Sequence, residues 1–418
     1  MPSHFYCTRF EVVDAAEDHN HSSSVGVESN PNSGESENVQ YRDFGMLDWK
    51  VSALGFGSMR LPTLDGQRNS ANIDEAEAVR MIRHAVDSGV NYLDTAYSYH
   101  EGESEVLLGK ALQDGYRERV KIATKLPVWL VKGADDFDRY LDEQLDKLQT
   151  DHIDFYLLHA LNQTVWREVV LEHNLLAKAE AALADGRIRH LGFSFHGDYA
   201  AFYEIVNGTD LWSMCQIQYS YMDTDNQAGT RGLHLAAHKN LAVVIMEPLL
   251  GGRLADPPED IRAFMEDFPI QRTPAEWALQ WLWEQPGVSV VLSGMSTMHQ
   301  VEQNLAFAED SRIGSFSRVE GEMITEVRKK YMARTIIPCT RCGYCLPCPN
   351  GVDIPGNIEL FNYSHTHTDV MSARFRFKVL LNEQQRASAC TSCGSCEPLC
   401  PQKLEIPKWM AKVSVLLS

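Results

Sequence analysis

Val90-Asn-Tyr-Leu-Asp-Thr-Ala-Tyr-Ser-Tyr99, then Ser104 to Gln113, then Val120-Lys-Ile-Ala-Thr124, is the stretch that decides the fold. A short apolar run, an amphipathic segment of helical period and a second apolar run follow one another, which is the pattern of a strand, a helix and a strand. Upstream, Val51-Ser-Ala-Leu-Gly-Phe-Gly57 reads as a buried strand and Asp74 to Ser88 as a helix that Gly89 ends. Downstream, the helix Asp136 to Leu148 leads to a strand over His152 to Leu158 and a helix over Glu168 to Ala184. Strands over Ile188 to Phe193, Cys215 to Gln218, Ala242 to Met246 and Val288 to Leu292 bring the count to eight. Eight buried strands separated by helices predict an α/β fold, a closed (β/α)8 TIM barrel. Periodicity alone leaves a doubly wound open sheet as the alternative.

The chain has 418 residues, more than one ordinary core needs, so a barrel with an appended module is expected. Residues 1–39, rich in Ser, Asn, Glu, Asp and His, read as a disordered tail. The barrel is assigned to 40–315, a connecting helix around Val319 to Met332 to 316–337, and a small, mostly helical iron-sulfur domain to 338–418. No apolar run is long enough to span a bilayer, and no secretory, twin-Arg or similar targeting pattern stands out. The net charge of -19 argues against nucleic acid and anionic membrane as partners, because phosphate neutralisation needs clustered Lys and Arg.

Eight of the ten cysteines crowd into Cys339-Thr-Arg-Cys342-Gly-Tyr-Cys345-Leu-Pro-Cys348-Pro349 and Cys390-Thr-Ser-Cys393-Gly-Ser-Cys396-Glu-Pro-Leu-Cys400-Pro401. Such crowding points to metal ligation in a reducing compartment, hence a cytoplasmic protein, rather than to disulfides. Three thiolates at two-residue gaps wrap three corners of a 4Fe-4S cube, and a fourth before proline reaches across to the other cluster. One cluster then takes Cys339, Cys342, Cys345 and Cys400, the other Cys390, Cys393, Cys396 and Cys348. The second group has the full bacterial-ferredoxin spacing, whereas the first has one residue fewer before Cys348. A pair of tetrahedral zinc sites is the alternative. Between the groups, Asn350 to Ala389 is long and helix-capable, and resembles the alpha-helical ferredoxin arrangement as much as the compact form. Val352-Asp-Ile-Pro355 and Leu404-Glu-Ile-Pro407 are matched, which suggests a pseudo-twofold.

In the barrel, Asp94, Lys125 and His159 end successive predicted strands and Tyr99 lies in the loop after Asp94. Barrel enzymes place their chemistry at C-terminal strand ends. A carbonyl that receives hydride becomes an alkoxide in need of a proton, and Tyr99 is the natural donor. An ammonium at Lys125 eases ionisation of the phenol, Asp94 holds Lys125, and His159 orients the carbonyl oxygen. Each residue singly has a bland explanation as cap, solvated strand end or packing. Together, at successive strand ends, they form a candidate catalytic set.

The run Asn91 to Glu105, with Leu157-Leu-His159, Gly192-Phe-Ser194, Glu247-Pro-Leu-Leu-Gly-Gly252 and Ser293 through Gln303-Asn304, resembles the aldo-keto reductases over roughly Tyr41 to Ala308. With the C-terminal cysteines, it resembles the subgroup that carries a ferredoxin-type module for two 4Fe-4S clusters. The resemblance implies a catalytic tetrad of Asp94, Tyr99, Lys125 and His159. It implies nicotinamide contacts at Ser194 and Gln216, with further cofactor contacts at Met246, Pro248 and Leu249. Adenine-end contacts map onto Ser293, Gly294, Ser296, Gln300, Gln303 and Asn304. Two features depart from the family: Met246 stands where many members stack an aromatic ring, and Ser293 to Gln300 lacks the Lys and Arg that grip an adenosine 2'-phosphate. The cofactor that the resemblance implies is NADPH or NADH, with the choice between them left open by these departures.

These readings predict an iron-sulfur oxidoreductase that reduces a small carbonyl or activated alkene, with the clusters passing electrons to or from a redox partner protein. Hydride moves two electrons and a cluster one, so coupling them calls for a flavin or a radical step. No dinucleotide fingerprint places a flavin, although a barrel can hold one by phosphate loops near Ser194 and Ser293. The alternatives are an ordinary carbonyl reductase with structural clusters, and an inactive electron-carrier or interaction protein.

Overall fold

A computed structural model describes residues 39–67, 69–339, 343–400 and 402–418. Apart from its last residue, the tail expected over 1–39 lies outside the described residues, as does Cys342.

Among the described residues ten strands are present: β1 Tyr41–Phe44, β2 Leu47–Ser52, β3 Leu54–Gly57, β4 Tyr92–Asp94, β5 Lys121–Leu126, β6 Ile153–Leu161, β7 Ile188–Phe195, β8 Trp212–Gln218, β9 Ala242–Met246 and β10 Val290–Gly294. The last eight close into a parallel barrel in the order β10-β3-β4-β5-β6-β7-β8-β9, so the open-sheet alternative falls. Each expected strand is found, but the first is divided. Val51 and Ser52 end β2, and the barrel strand begins at Leu54.

The difference has a physical reason. β1 and β2 form an antiparallel hairpin whose inner side chains finish the barrel interior. Phe44 and Val51 share a buried cluster with Tyr92, Phe155, Met214, Ala242 and Val290, and the Phe44 ring lies 4.7 Å from that of Phe155. The hairpin thus plugs the N-terminal end and leaves the C-terminal end for chemistry. Arg42 fixes it, donating hydrogen bonds to the carbonyls of Val288, Trp283 and Ser311; burial lowers its pKa to about 10, against the pull of Glu284.

The helix expected over Glu168 to Ala184 is also divided. A π-helical turn, Trp166–Leu171, precedes the helix Leu175–Asp185, with Asn174 between them at φ 52°, a left-handed position that Asn tolerates. The connecting helix, Arg318–Ala333, packs Met323, Ile324, Val327 and Tyr331 against Trp277, Leu254 and Ile261 of the barrel side.

Residues 338–418 have a separate core of Ile358, Phe361, Phe377, Met410 and Val413 with the cysteine loops packed against it. Its helices are Ile354–Thr366, Val370–Leu380 and Ile406–Leu417. The two Ile-Pro pairs that match in sequence both open helices, with Pro in the first turn, where its missing N–H is not needed. Among the described residues no helix is long and apolar enough to cross a membrane.

Candidate functional site

Asp94 is the last residue of β4, Lys125 the fifth of β5 and His159 the seventh of β6, so three adjacent parallel strands deliver them to one rim. Tyr99 opens a 3-10 turn, Tyr99–Gly102, beyond β4. The fully buried Lys125 Nζ donates to Asp94 Oδ1 at 2.5 Å and to the Thr95 carbonyl at 2.6 Å. It sits 5.0 Å from the centre of the Tyr99 ring. Gln216 Nε2 donates to the other Asp94 oxygen at 2.9 Å, and the His159 ring lies edge-on to Tyr99, centroids 6.1 Å apart. The structure brings all four tetrad candidates together.

The electrostatics follow from burial and pairing. Burial works against the Lys125 ammonium, but Asp94 and Tyr99 outweigh it and hold its pKa above the ordinary value. Burial pushes the Asp94 carboxyl up while Lys125 and Gln216 pull it back. Burial also dominates at Tyr99: the phenol lies above its ordinary value, although Lys125 pulls it down. This corrects the simpler expectation of a phenol made more acidic; Lys125 moderates a burial penalty. Burial, then the Lys125 charge and His196, hold His159 well below its usual value, hence neutral. Among the described residues its buried Nδ1 has no hydrogen-bond partner.

Two side chains at this rim were not singled out in the sequence. Trp129, 49% exposed, places its ring 4.9 Å from that of His159, where it would wall a small substrate. Arg60, in the turn after β3, passes so close to Gly294 that a Cβ there would meet its Cγ at 3.0 Å. Its charge also reaches Tyr99. Both depend on loop placement, which periodicity does not encode; the only available signal was position just after a strand.

The cofactor candidates extend the rim. The Ser194 hydroxyl at the end of β7 accepts from the Ala160 N–H at 2.7 Å, and Gln216 lies on β8. Met246, half-buried, ends β9, with Pro248 and Leu249 in the turn beyond. Ser293 and Gly294 end β10. Asn304 Nδ2 donates to Ser293 Oγ at 2.8 Å, the Ser296 N–H donates to Gln300 Oε1, and the Ser296 hydroxyl donates to the Arg60 carbonyl. Gln300, Gln303 and Asn304 lie on the helix Met298–Ala308. A helix N-terminus beside an exposed glycine and a cation fits a phosphate-bearing dinucleotide.

Among the described residues, thiols from both loops come near one another in two places. Cys339, Cys345 and Cys400 line one apolar cavity with Ile354, Ile358 and Leu404. Cys396 lies within electrostatic reach of Cys390, Cys348 and Cys393, so Cys348 is near the later loop despite the shortened spacing. Among the described residues no group of Cys, His, Asp or Glu converges on a single-ion site. Thiols spread around an apolar cavity fit the wider corners of a cuboidal cluster.

The cysteine module meets the barrel close to Met246. Arg376, on the helix Val370–Leu380, reaches Glu247 at 3.9 Å, and Arg253 reaches Asp369 at 3.6 Å. Arg253 and Arg376 each place a guanidinium 4.6 Å from the centre of the Tyr363 ring.

The model of the Aldo/keto reductase family matches residues 53–315 and that of the 4Fe-4S dicluster domain residues 338–405. The uncharacterized oxidoreductase YqkF of Bacillus subtilis (strain 168) is 27% identical over 308 residues, 66% of this chain and 93% of that protein. The aldo-keto reductase AKR11C1 from Bacillus halodurans, in its holo form, superposes with a TM-score of 0.57 at 26% identity, covering 69% of this chain and 96% of that one. An aldo-keto reductase from Klebsiella pneumoniae in complex with NADPH gives 0.56 at 25% identity, covering 69% and 95%. The chain is an oxidoreductase that belongs to the aldo/keto reductase family and bears a C-terminal 4Fe-4S domain.

Proposed function

We propose that this chain is an NAD(P)H-linked reductase of a small carbonyl or activated alkene, carrying two 4Fe-4S clusters that exchange electrons with the reaction or with a partner. The observation that carries the reading is the convergence of Asp94, Tyr99, Lys125 and His159 on one rim of the barrel. When bound, the nicotinamide supplies hydride and the clusters supply or take single electrons. Neutral His159 orients the carbonyl oxygen by a hydrogen bond. The Tyr99 hydroxyl gives its proton to that oxygen as negative charge develops, and the Lys125 ammonium stabilises the phenolate left behind. Asp94 keeps the ammonium charged and aimed, with Gln216 fixing its second oxygen. Trp129, with its ring against that of His159, would wall one side of the substrate.

Ser194, Gln216, Met246, Pro248 and Leu249 would hold the nicotinamide half. Ser293, Gly294, Ser296, Gln300, Gln303 and Asn304 would hold the adenosine half. Since Ser293 to Gln300 brings no cation, Arg60 is the candidate for the phosphates. With a relative solved with NADPH, that makes NADPH the first cofactor to test. Cluster ligation fits a reducing compartment, so we place the protein in the cytoplasm.

A second reading, that the clusters only clamp the module to the barrel, is favoured by the Arg376–Glu247 and Arg253–Asp369 pairs. Anaerobic addition of NADPH decides between them. Cluster bleaching in step with nicotinamide oxidation supports electron exchange; turnover with unbleached clusters supports the clamp. Loss of no activity in Tyr99→Phe would defeat both.

A further inference from the structure

We infer that one face of the helix Val370–Leu380 is the docking surface for an acidic one-electron carrier protein. The inference rests on the proposed redox role of the clusters.

Met371, Phe375 and Val379 follow at four-residue spacing, which places them along one side of that helix. They are 73%, 68% and 63% exposed. Leu380 beside them is also exposed. Large apolar side chains aligned in a row on a surface are a recognised mark of an interaction site. The opposite face packs Ala373 and Phe377 into the core on which Cys339, Cys345, Cys348, Cys390, Cys396 and Cys400 also pack. The stripe is thus about one helix diameter, ~10 Å, from the thiol-bearing layer.

Charge selects the occupant. The chain has 57 acidic against 38 basic residues, yet this helix carries Arg374, Arg376 and Lys378 and no carboxylate. Arg376 is engaged by Glu247 of the barrel. Arg374 donates to the Leu416 carbonyl, Arg386 to those of Leu381 and Lys378, and Lys378 is exposed. Among the described residues none of these three forms an ion pair, in a protein with carboxylates to spare. An apolar stripe edged by unpaired cations complements a carrier whose redox group is ringed by apolar and acidic side chains. Each encounter moves one electron: the carrier is oxidised by one, a cluster is reduced by one, and no bond changes. Two encounters match one hydride.

The test uses the full-length, cluster-loaded chain in anaerobic stopped flow, with reduced flavodoxin as the acidic donor and dithionite as a small one, following cluster bleaching. In Phe375→Ser/Val379→Ser, bleaching by flavodoxin should slow about ten-fold, and in Lys378→Glu about five-fold, with wild-type rates falling as salt rises. Dithionite rates should stay the same in all three, which also reports intact folding because the replaced side chains are exposed. Equal flavodoxin rates in wild type and variants overturn the docking site alone. A wild-type dimer that the double variant makes monomeric, by sedimentation velocity, gives the face to a second copy and also overturns it. Clusters that dithionite fails to bleach defeat the redox reading itself, and the docking proposal with it.

Discussion

Tyr99 carries two opposed influences, burial raising its pKa and the Lys125 ammonium lowering it, and burial is the larger. On the proposed mechanism the proton donor is the neutral phenol, so the active form persists at every pH below a value that lies above the ordinary ~10. We therefore expect kcat to be flat through the neutral range and to fall only in strong alkali. Removing the ammonium in Lys125→Met leaves only the charge of Arg60 to oppose the burial penalty. The phenolate becomes costlier, and kcat should drop about 10^2-fold or more, while the nicotinamide Kd, read by fluorescence quenching, stays within about two-fold. A variant that binds cofactor normally and keeps its kcat would show that Lys125 has no part in the proton transfer. Tyr99→Phe should lose a similar factor with the same unchanged Kd.

At the scale of elements, the β1–β2 hairpin makes one glycine decisive. Gly45 has φ +58°, and a Cβ there would lie 2.6 Å from both the Ala242 nitrogen and the Asn240 carbonyl oxygen. Gly45→Ala adds left-handed strain to a backbone clash, so stability should fall by about 1–3 kcal/mol, seen as a lower denaturant midpoint with the active rim untouched. The cysteine loops make a second prediction. Cys348 lies within electrostatic reach of Cys396, as do Cys390 and Cys393, and on the proposed ligation it crosses to the later loop. Cys348→Ala should cost the cluster held by the later loop, so that iron falls from about eight to about four per chain; loss of the other cluster instead would mean the loops do not cross. The strands were legible because parallel barrel strands are buried on both sides and read as continuous apolar runs. That same rule absorbed Val51 into the wrong strand, since the plugging hairpin is apolar on its inner face too. The convergence of Asp94, Tyr99, Lys125 and His159 was legible because charged and aromatic residues at successive strand ends are rare in so apolar a context. Trp129, Arg60 and the Glu247–Arg376 contact were not, because loops and the meeting of distant segments leave no periodic trace.

For the whole molecule the joint between barrel and cysteine module is the sensitive region, and His367 reports on it. The ring sits 5.5 Å from that of Tyr331 on the connecting helix and 4.8 Å from that of Tyr363. Burial, and then the charges of Arg253 and Arg376, with Arg334 behind them, lower its pKa to about 3, and Asp369 offsets only part of this. In the unfolded chain a histidine titrates near ~6.5. Between those two values the unfolded state binds a proton that the folded state refuses, so stability is lost as pH falls through that window and is unaffected above it. Protonating His367 would set a fourth cation among three arginines, which is also why the joint should open before the barrel does. We expect the first unfolding transition, followed by tryptophan fluorescence in the cluster-loaded chain, to weaken by about 2 kcal/mol between pH ~7 and ~5. His367→Gln keeps hydrogen-bonding capacity without a titrating group and should flatten that dependence. An identical pH slope in wild type and His367→Gln would assign the acid sensitivity to other groups and leave the joint without this switch.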